Sequence, residues 1–209
     1  MRKFITEFIG TFFLVLVVGL AGSISPGFAP IAIGGIVMVM IYAGGHISGA
    51  HYNPAVTVAI LIRGKMTAPD AIVYIIFQLA AAAVASLIAA KVFAVGGTGA
   101  SAIAHAGIAK ALTAEFLGTF ALAYVVLNVA TAKNNIGSDH YGISVGFTIV
   151  ALAYALGGFS GGAFNPAVAV GQMIGGHMAW ADTWVYLVGT FGGAIVAAIV
   201  FRLNNNTDI

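Results

Sequence analysis

Long apolar stretches, separated by short polar or glycine-containing connections, run along the whole chain. Each stretch holds about 15–23 residues, against the roughly 20 that a helix needs to cross a bilayer core about 30 Å thick. The second and the fifth are short, so we expect their helices to extend into flanking glycine- and histidine-containing segments. The pattern predicts an all-α membrane protein with six transmembrane helices, at residues 4–21, 31–45, 71–93, 111–132, 141–157 and 183–201.

Composition excludes the other broad classes of protein. Of 209 residues, 61% are apolar and 7% are charged, and the mean hydropathy is +1.05. A soluble domain carries about 25% charged residues, so this chain cannot cover a water-facing surface. The absence of cysteine excludes disulfides and thiolate chemistry. A net charge of +2 without a basic run predicts no nucleic-acid partner. The five histidines are scattered, without the spacing of metal ligands, so we expect no metal site and no other cofactor. Without a nucleophile, a metal cluster or an acid/base pair, we expect no enzyme.

The chain repeats itself. Residues 7–14 read EFIGTFFL and return as EFLGTFAL at 115–122, and residues 48–56 read SGAHYNPAV and return as SGGAFNPAV at 160–168. The offsets are nearly equal, 108 residues for the first pair and 112 for the second. Since each copy holds three spans, an odd number, the second copy must be inverted in the membrane relative to the first. We expect a single channel domain over 1–209, made of repeats at 1–93 and 110–203.

Basic residues predict the orientation of the spans. If six spans alternate, six Lys and Arg residues fall on one side of the membrane and two on the other, and the basic side faces the cytoplasm. Both termini are therefore predicted to be cytoplasmic. The start of the chain, basic and then apolar, also resembles a secretory signal, but its recurrence at 115–122 argues against cleavage. Short connections favour a prokaryotic inner membrane.

Each Asn-Pro-Ala segment has the sequence of a helix start. Asn stands at the N-cap and Pro at the first helical position, where its missing N–H costs nothing. The predicted helices, 53–62 and 165–174, are too short to span, because eight to ten residues cover only about 12–15 Å. Two half-helices of an inverted repeat enter from opposite faces and meet near the midplane. The motif residues are Asn53, Pro54, Ala55, Asn165, Pro166 and Ala167.

Small residues precede both motifs and suit an extended backbone. Non-helical backbone at membrane depth is tolerated only where it is buried in protein or lines a wet cavity, so we expect a polar pathway here. The half-helix N-termini, each worth about half a positive charge, would repel cations, while the Asn amides donate to a passing oxygen. The alternative is that Asn-Pro only caps two buried helices. The backbone predicted to line the pathway belongs to Gly49, Ala50, His51, Gly161 and Ala163.

These motifs resemble those of the aquaporin (major intrinsic protein) family, and the resemblance covers nearly the whole chain. It implies six spans with two re-entrant half-helices. It also implies a homotetramer in membrane lipid, with one pore per subunit and passive conduction of water or small uncharged solutes. In the family, a histidine at the position of His51 lines the pore through its carbonyl.

The resemblance identifies four positions of a selectivity constriction, and this chain departs from the family there. In the family an arginine follows the second Asn-Pro-Ala directly, and here that position is Val168. The other three are Ile33, Ala153 and Gly162, whereas a water-selective pattern has an aromatic residue and a histidine at the first two. We expect a wider and more apolar constriction. Water can be the main solute, or a secondary one beside ammonia, glycerol or peroxide.

Two carboxylates lie inside predicted spans, where ionisable groups are costly and usually functional. Glu7 and Glu115 either anchor the re-entrant loops by accepting hydrogen bonds from their backbone, or relay protons in an ion-coupled carrier. No Lys, Arg or His lies in the middle of a span as a partner, and the resemblance also favours anchoring. A structural protein with a closed pore is a further alternative.

Overall fold

The structure, a computed structural model, describes residues 1–101, 103, 105–135 and 139–206. Within these ranges six helices are long and apolar enough to cross a membrane, and two helices of nine residues are half-helices. The predicted all-α membrane fold is confirmed. In chain order the helices are α1 (Arg2–Ile24), α2 (Ala29–Ser48), α3 (Pro54–Ile62), α4 (Ala68–Lys91), α5 (Ile108–Thr131), α6 (Tyr141–Ser160), α7 (Pro166–Ile174) and α8 (Thr183–Asn204).

The two short apolar stretches are completed as expected. Helix α2 reaches 20 residues by adding residues 29–30 before the apolar run and residues 46–48, which include His46, after it. Helix α6 reaches 20 residues by adding residues 158–160, which include Gly158. Both end at a glycine in the left-handed conformation, Gly49 (φ +82°) and Gly161 (φ +86°). Glycine adopts this conformation without the steric cost of a Cβ, so it stops each helix and turns the chain into the loop before Asn-Pro-Ala.

The spans pair in the same way in both halves of the chain. Helix α1 packs against α4 and its counterpart α5 against α8, while α2 and α6 cross at the centre. That crossing brings two backbones into direct contact, since a Cβ on Gly146 would lie 2.6 Å from the carbonyl oxygen of Gly34. Each half-helix packs against a span of the other half, α3 on α8 and α7 on α4. The two halves are therefore interlocked.

Apolar side chains cover the outer surface, and polar side chains lie inside. Ile76 and Phe147 are 56% and 61% exposed, whereas Glu7, Gln78 and Glu115 are fully buried. A water-soluble protein has the opposite arrangement. This distribution suits a molecule surrounded by lipid, with its hydrogen-bonding groups satisfied internally.

The start of α1 and the end of α8 lie on one side of the bundle, which we call the near side. The starts of α1 and α4 meet there in an ion pair between Lys3 Nζ and Asp70 Oδ2 at 2.7 Å. The end of α8 lies beside the end of α3, where Arg202 Nη1 donates to the carbonyl of Ile62 at 3.3 Å. The far side carries the α1–α2 connection and the end of α7.

Candidate functional site

The two asparagines cap the half-helices. Asn53 Oδ1 accepts from the backbone N–H of Ala55 at 2.8 Å, and Asn165 Oδ1 accepts from that of Ala167 at 2.9 Å. Both asparagines have extended backbone, which is the usual conformation of an N-cap residue. Each following proline begins its helix where no N–H is needed.

The same two side chains also join the half-helices across the centre. Asn53 Nδ2 donates to the carbonyl of Phe164, and Asn165 Nδ2 donates to the carbonyl of Tyr52, both at 2.9 Å. A side-chain amide has two N–H donors, so each asparagine keeps one that the other loop does not use. Both residues line the central cavity. The positive ends of two helix dipoles and two free N–H donors therefore converge on one part of this cavity.

The chain before each asparagine forms a loop, residues 49–52 (the first loop) and residues 161–164 (the second loop). Both loops adopt a strained backbone. Ala50, Tyr52 and Phe164 have φ values of 51°, 48° and 47°, in the left-handed region that non-glycine residues avoid. Such a conformation costs roughly 1–2 kcal/mol per residue. Gly162, which stands where the first loop has Ala50, has a φ of 65° without that cost. Contacts from outside the loops must hold them in this form.

A buried carboxylate supplies these contacts in the first loop. Glu7 Oε1 accepts from Ser48 Oγ at 2.7 Å and from His51 N at 3.0 Å. Its Oε2 accepts from Tyr52 N at 2.7 Å and from Gln78 Nε2 at 2.8 Å. Glu7 thus accepts hydrogen bonds from two loop N–H groups that have no partner in a helix or sheet. Such groups would be costly to leave unsatisfied inside a membrane.

Glu115 has the equivalent contacts in the second loop. Its Oε1 accepts from Ser160 Oγ at 2.6 Å and from Ala163 N at 3.0 Å, and its Oε2 accepts from Phe164 N at 2.7 Å. Both carboxylates are fully buried behind the cavity wall. Apart from Gln78 on α4, their hydrogen-bond donors are loop N–H groups and the serine that ends the preceding helix.

The glycine of each EFxGTF motif has a structural role of its own, which was not predicted from the sequence. Gly10 lies against the ring of Tyr52, and Gly118 lies against the ring of Phe164, so closely that a Cβ at either position would collide with the ring. Glutamate and glycine are three residues apart and share one helix face. The motif therefore holds a loop by its backbone and leaves room for its aromatic side chain.

Two tyrosines complete the support of the loops and were missed from the sequence. Tyr74 Oη donates to the carbonyl of Ser48 at 2.8 Å, and Tyr186 Oη donates to that of Ser160 at 2.6 Å. They are separated by 112 residues, the same offset as the two asparagines. That coincidence was the signal from which they could have been found.

The four constriction positions line one central cavity of about 360 Å³, together with both asparagines. None of their side chains carries a hydrogen-bonding group. Ala50, His51, Gly161 and Ala163 line the same cavity, whereas Gly49 lines a second one on the near side. Pro54, Ala55, Pro166 and Ala167 are buried behind the wall. The constriction positions are Ile33, Ala153, Gly162 and Val168.

Two histidines lie at the cavity. His51 Nδ1 is 3.1 Å from Thr57 Oγ1, and its ring packs 5.1 Å from that of Tyr74. His177 lies at the far-side end, where burial lowers the pKa of its imidazole. Among the described residues no group of three or more His, Cys, Asp or Glu side chains is arranged to hold a metal ion.

Six spans, two half-helices joined tip to tip and a cavity lined by their loops define a membrane channel. The chain belongs to the major intrinsic protein family, whose model matches residues 1–201. The family indicated by the motifs is therefore confirmed. Since members of this family are channels, the protein is an integral membrane channel for water and small uncharged solutes.

Two relatives agree with the family assignment, and one solved structure agrees with the fold. The glycerol uptake facilitator protein-like 6 of Lactiplantibacillus plantarum is 37% identical, with 100% of both chains covered. A probable NIP-type aquaporin of Nicotiana alata is 36% identical over 100% of this chain and 79% of that protein. The X-ray structure of the aquaglyceroporin from Plasmodium falciparum shares the fold, with a TM-score of 0.82 and 24% identity over 96% of this chain and 94% of the other.

Proposed function

We propose that this channel passes larger uncharged solutes, such as glycerol, as well as water. The observation that carries the proposal is Val168 in place of an arginine, in the wall of the central cavity. Ile33, Ala153 and Gly162 line the same cavity with small or apolar groups, so a solute meets no charged or aromatic barrier at these positions. The similarity to a glycerol uptake facilitator-like protein supports this selectivity.

Cations are rejected at the paired asparagines. Without an arginine at position 168, exclusion depends on the half-helix dipoles and on the free amide protons of Asn53 and Asn165, all of which disfavour positive charge. The carbonyls of the two loops accept hydrogen bonds from the solute, and Glu7 and Glu115 anchor those loops. Their contacts with loop N–H groups support anchoring rather than proton relay.

The functional unit is a homotetramer in a prokaryotic inner membrane, with one pore in each subunit. The whole chain, 1–209, forms one domain of two repeats, 1–93 and 110–203. The near side faces the cytoplasm, because it carries the basic residues at both chain ends and at the end of α3. These residues include Arg2, Lys3, Arg63, Lys65 and Arg202.

Stopped-flow light scattering on proteoliposomes tests the proposed selectivity. We expect flux of water, ammonia and glycerol above that of protein-free vesicles of the same lipid and size, with no saturation and no dependence on an ion gradient. Fast water flux with glycerol at the level of empty vesicles would contradict the broad selectivity. Saturable, gradient-driven uptake would indicate a carrier, and the absence of any flux a structural role.

A further inference from the structure

Two separate cavities meet on the near side of the asparagines. The central cavity extends from His177 at the far side, past the four constriction positions, to Ala50 and the paired asparagines. A second cavity of about 340 Å³ opens on the near side and includes Gly49 and Lys65 in its lining. His51 and Val126 belong to the walls of both cavities. The boundary between the two open spaces therefore lies at the level of residues 49–51.

Tyr141, the first residue of α6, reaches this boundary. Its Oη donates to the carbonyl of Gly49 at 2.7 Å and lies 3.5 Å from that of Ala50. Gly49 lines the near-side cavity and Ala50 lines the central one, so the hydroxyl bridges the two carbonyls where the cavities meet. The ring lies beside Gly45, where a Cβ would be 3.7 Å from the ring, an ordinary contact distance. Val126, on α5, supplies an apolar wall at the same level.

The loop before Asn165 has no such group. The residue that stands 19 positions before Ser160 is Tyr141, and the residue that stands 19 positions before Ser48 is Ala29. Ala29 has no hydroxyl. Among the hydrogen bonds of the described residues, none ends on the carbonyl of Gly161 or Gly162. The second loop thus presents the carbonyls of Gly161 and Gly162 to solute, whereas in the first loop the carbonyl of Gly49 is covered by the phenol of Tyr141.

We propose that Tyr141 and Val126 form the size-determining constriction of this channel, on the near side of the paired asparagines. The proposal deepens the function proposed above and rests on it. If the four far-side constriction positions let larger solutes pass, the size of the solute must be limited elsewhere along the pathway. The phenol ring and the valine methyl groups limit the cross-section. Since the hydroxyl proton is donated to Gly49, the phenol oxygen can only accept, and it presents its lone pairs to solutes that donate a hydrogen bond.

Variants at these two positions test the constriction in proteoliposomes. We expect Tyr141→Ala to raise the ratio of glycerol to water permeability by about ten-fold, the low end of the discrimination that one methylene provides in an apolar pocket. Val126→Ala, which leaves the hydrogen bond to Gly49 intact, is expected to raise the same ratio. Tyr141→Phe keeps the ring and is expected to keep the size limit, while release of the Gly49 carbonyl changes water permeability by about two- to five-fold.

Tyr154→Ala is the matched control. Tyr154 lies on the same helix and donates to the carbonyl of Gly27 at 3.0 Å, but its side chain faces outwards and lines neither cavity. It should leave the ratio unchanged. If Tyr141→Ala and Val126→Ala both keep the wild-type ratio in a protein that conducts water, the near-side constriction is wrong and the proposed function stands. If the wild-type protein conducts nothing, both proposals fail.

Discussion

The two loops that lead to the asparagines share a scaffold and differ in the polar groups around it. In both, a glutamate accepts two loop N–H groups, a serine hydroxyl donates to that glutamate and a tyrosine covers the serine carbonyl. These contacts are what the fold needs to keep irregular backbone inside a membrane. The groups that differ are free to adjust stability and selectivity.

The first loop has an additional polar cluster. Gln78 Nε2 donates to Glu7 Oε2 at 2.8 Å and to Thr57 Oγ1 at 3.1 Å, and His51 contacts the same threonine. The positions equivalent to Gln78 and Thr57, 112 residues later, hold Thr190 and Ala169. Thr190 donates to a carbonyl of its own helix instead. Glu7 is therefore part of a wider network, whereas Glu115 contacts only its loop and Ser160, the last residue of α6.

Removal of either carboxylate is expected to have the largest effect. Glu7→Leu and Glu115→Leu each leave two buried backbone N–H groups without an acceptor, at about 1–3 kcal/mol per group. We expect both to lower thermal stability in detergent, followed by circular dichroism, and to abolish flux. Glu7→Leu should be the more harmful, because it also removes one acceptor of Gln78.

Glutamine at the same positions is the control, since it retains one oxygen for the loop. Glu7→Gln and Glu115→Gln should therefore be less destabilised than the leucine variants. If a leucine variant unfolds at the wild-type temperature, the carboxylates do not anchor the loops. A glutamine variant that folds and passes water but loses a wild-type proton flux would favour the relay.

An arginine restored at position 168 is expected to have the next largest effect. Val168→Arg adds bulk and a positive charge to the far-side wall of the central cavity, and should lower the glycerol-to-water permeability ratio by about ten-fold while leaving the fold intact. Val168→Leu is the control for an increase in side-chain size without charge. An unchanged ratio in the arginine variant would mean that the far side does not contribute to selectivity.

The sequence predicted the spans, the half-helices and the inverted repeat because each leaves a periodic or repeated pattern. Glu7 and Glu115 were recognisable because a charge inside an apolar span is rare. The contact of Gly10 with the ring of Tyr52 and the hydrogen bond of Tyr141 to the carbonyl of Gly49 were not predictable. Both depend on which groups the fold brings together from distant parts of the chain. Glycine and tyrosine are common in membrane helices, so neither residue type reveals its partner. The separation of the two cavities likewise depends on packing between helices distant in the chain.

The smallest expected effect concerns the aromatic residues before the asparagines. Tyr52 Oη donates to the carbonyl of Met40 at 2.9 Å, and Gly44 makes room for that hydroxyl. In the second half, Phe164 has no hydroxyl, and Leu156 stands where the first half has Gly44. Tyr52→Phe should therefore lose one buried hydrogen bond and about 1 kcal/mol of stability, with unchanged selectivity. Thermal unfolding and the glycerol-to-water ratio check both points. A changed ratio would mean that the hydroxyl acts on the pathway, and equal stability would mean that the hydrogen bond to Met40 contributes nothing.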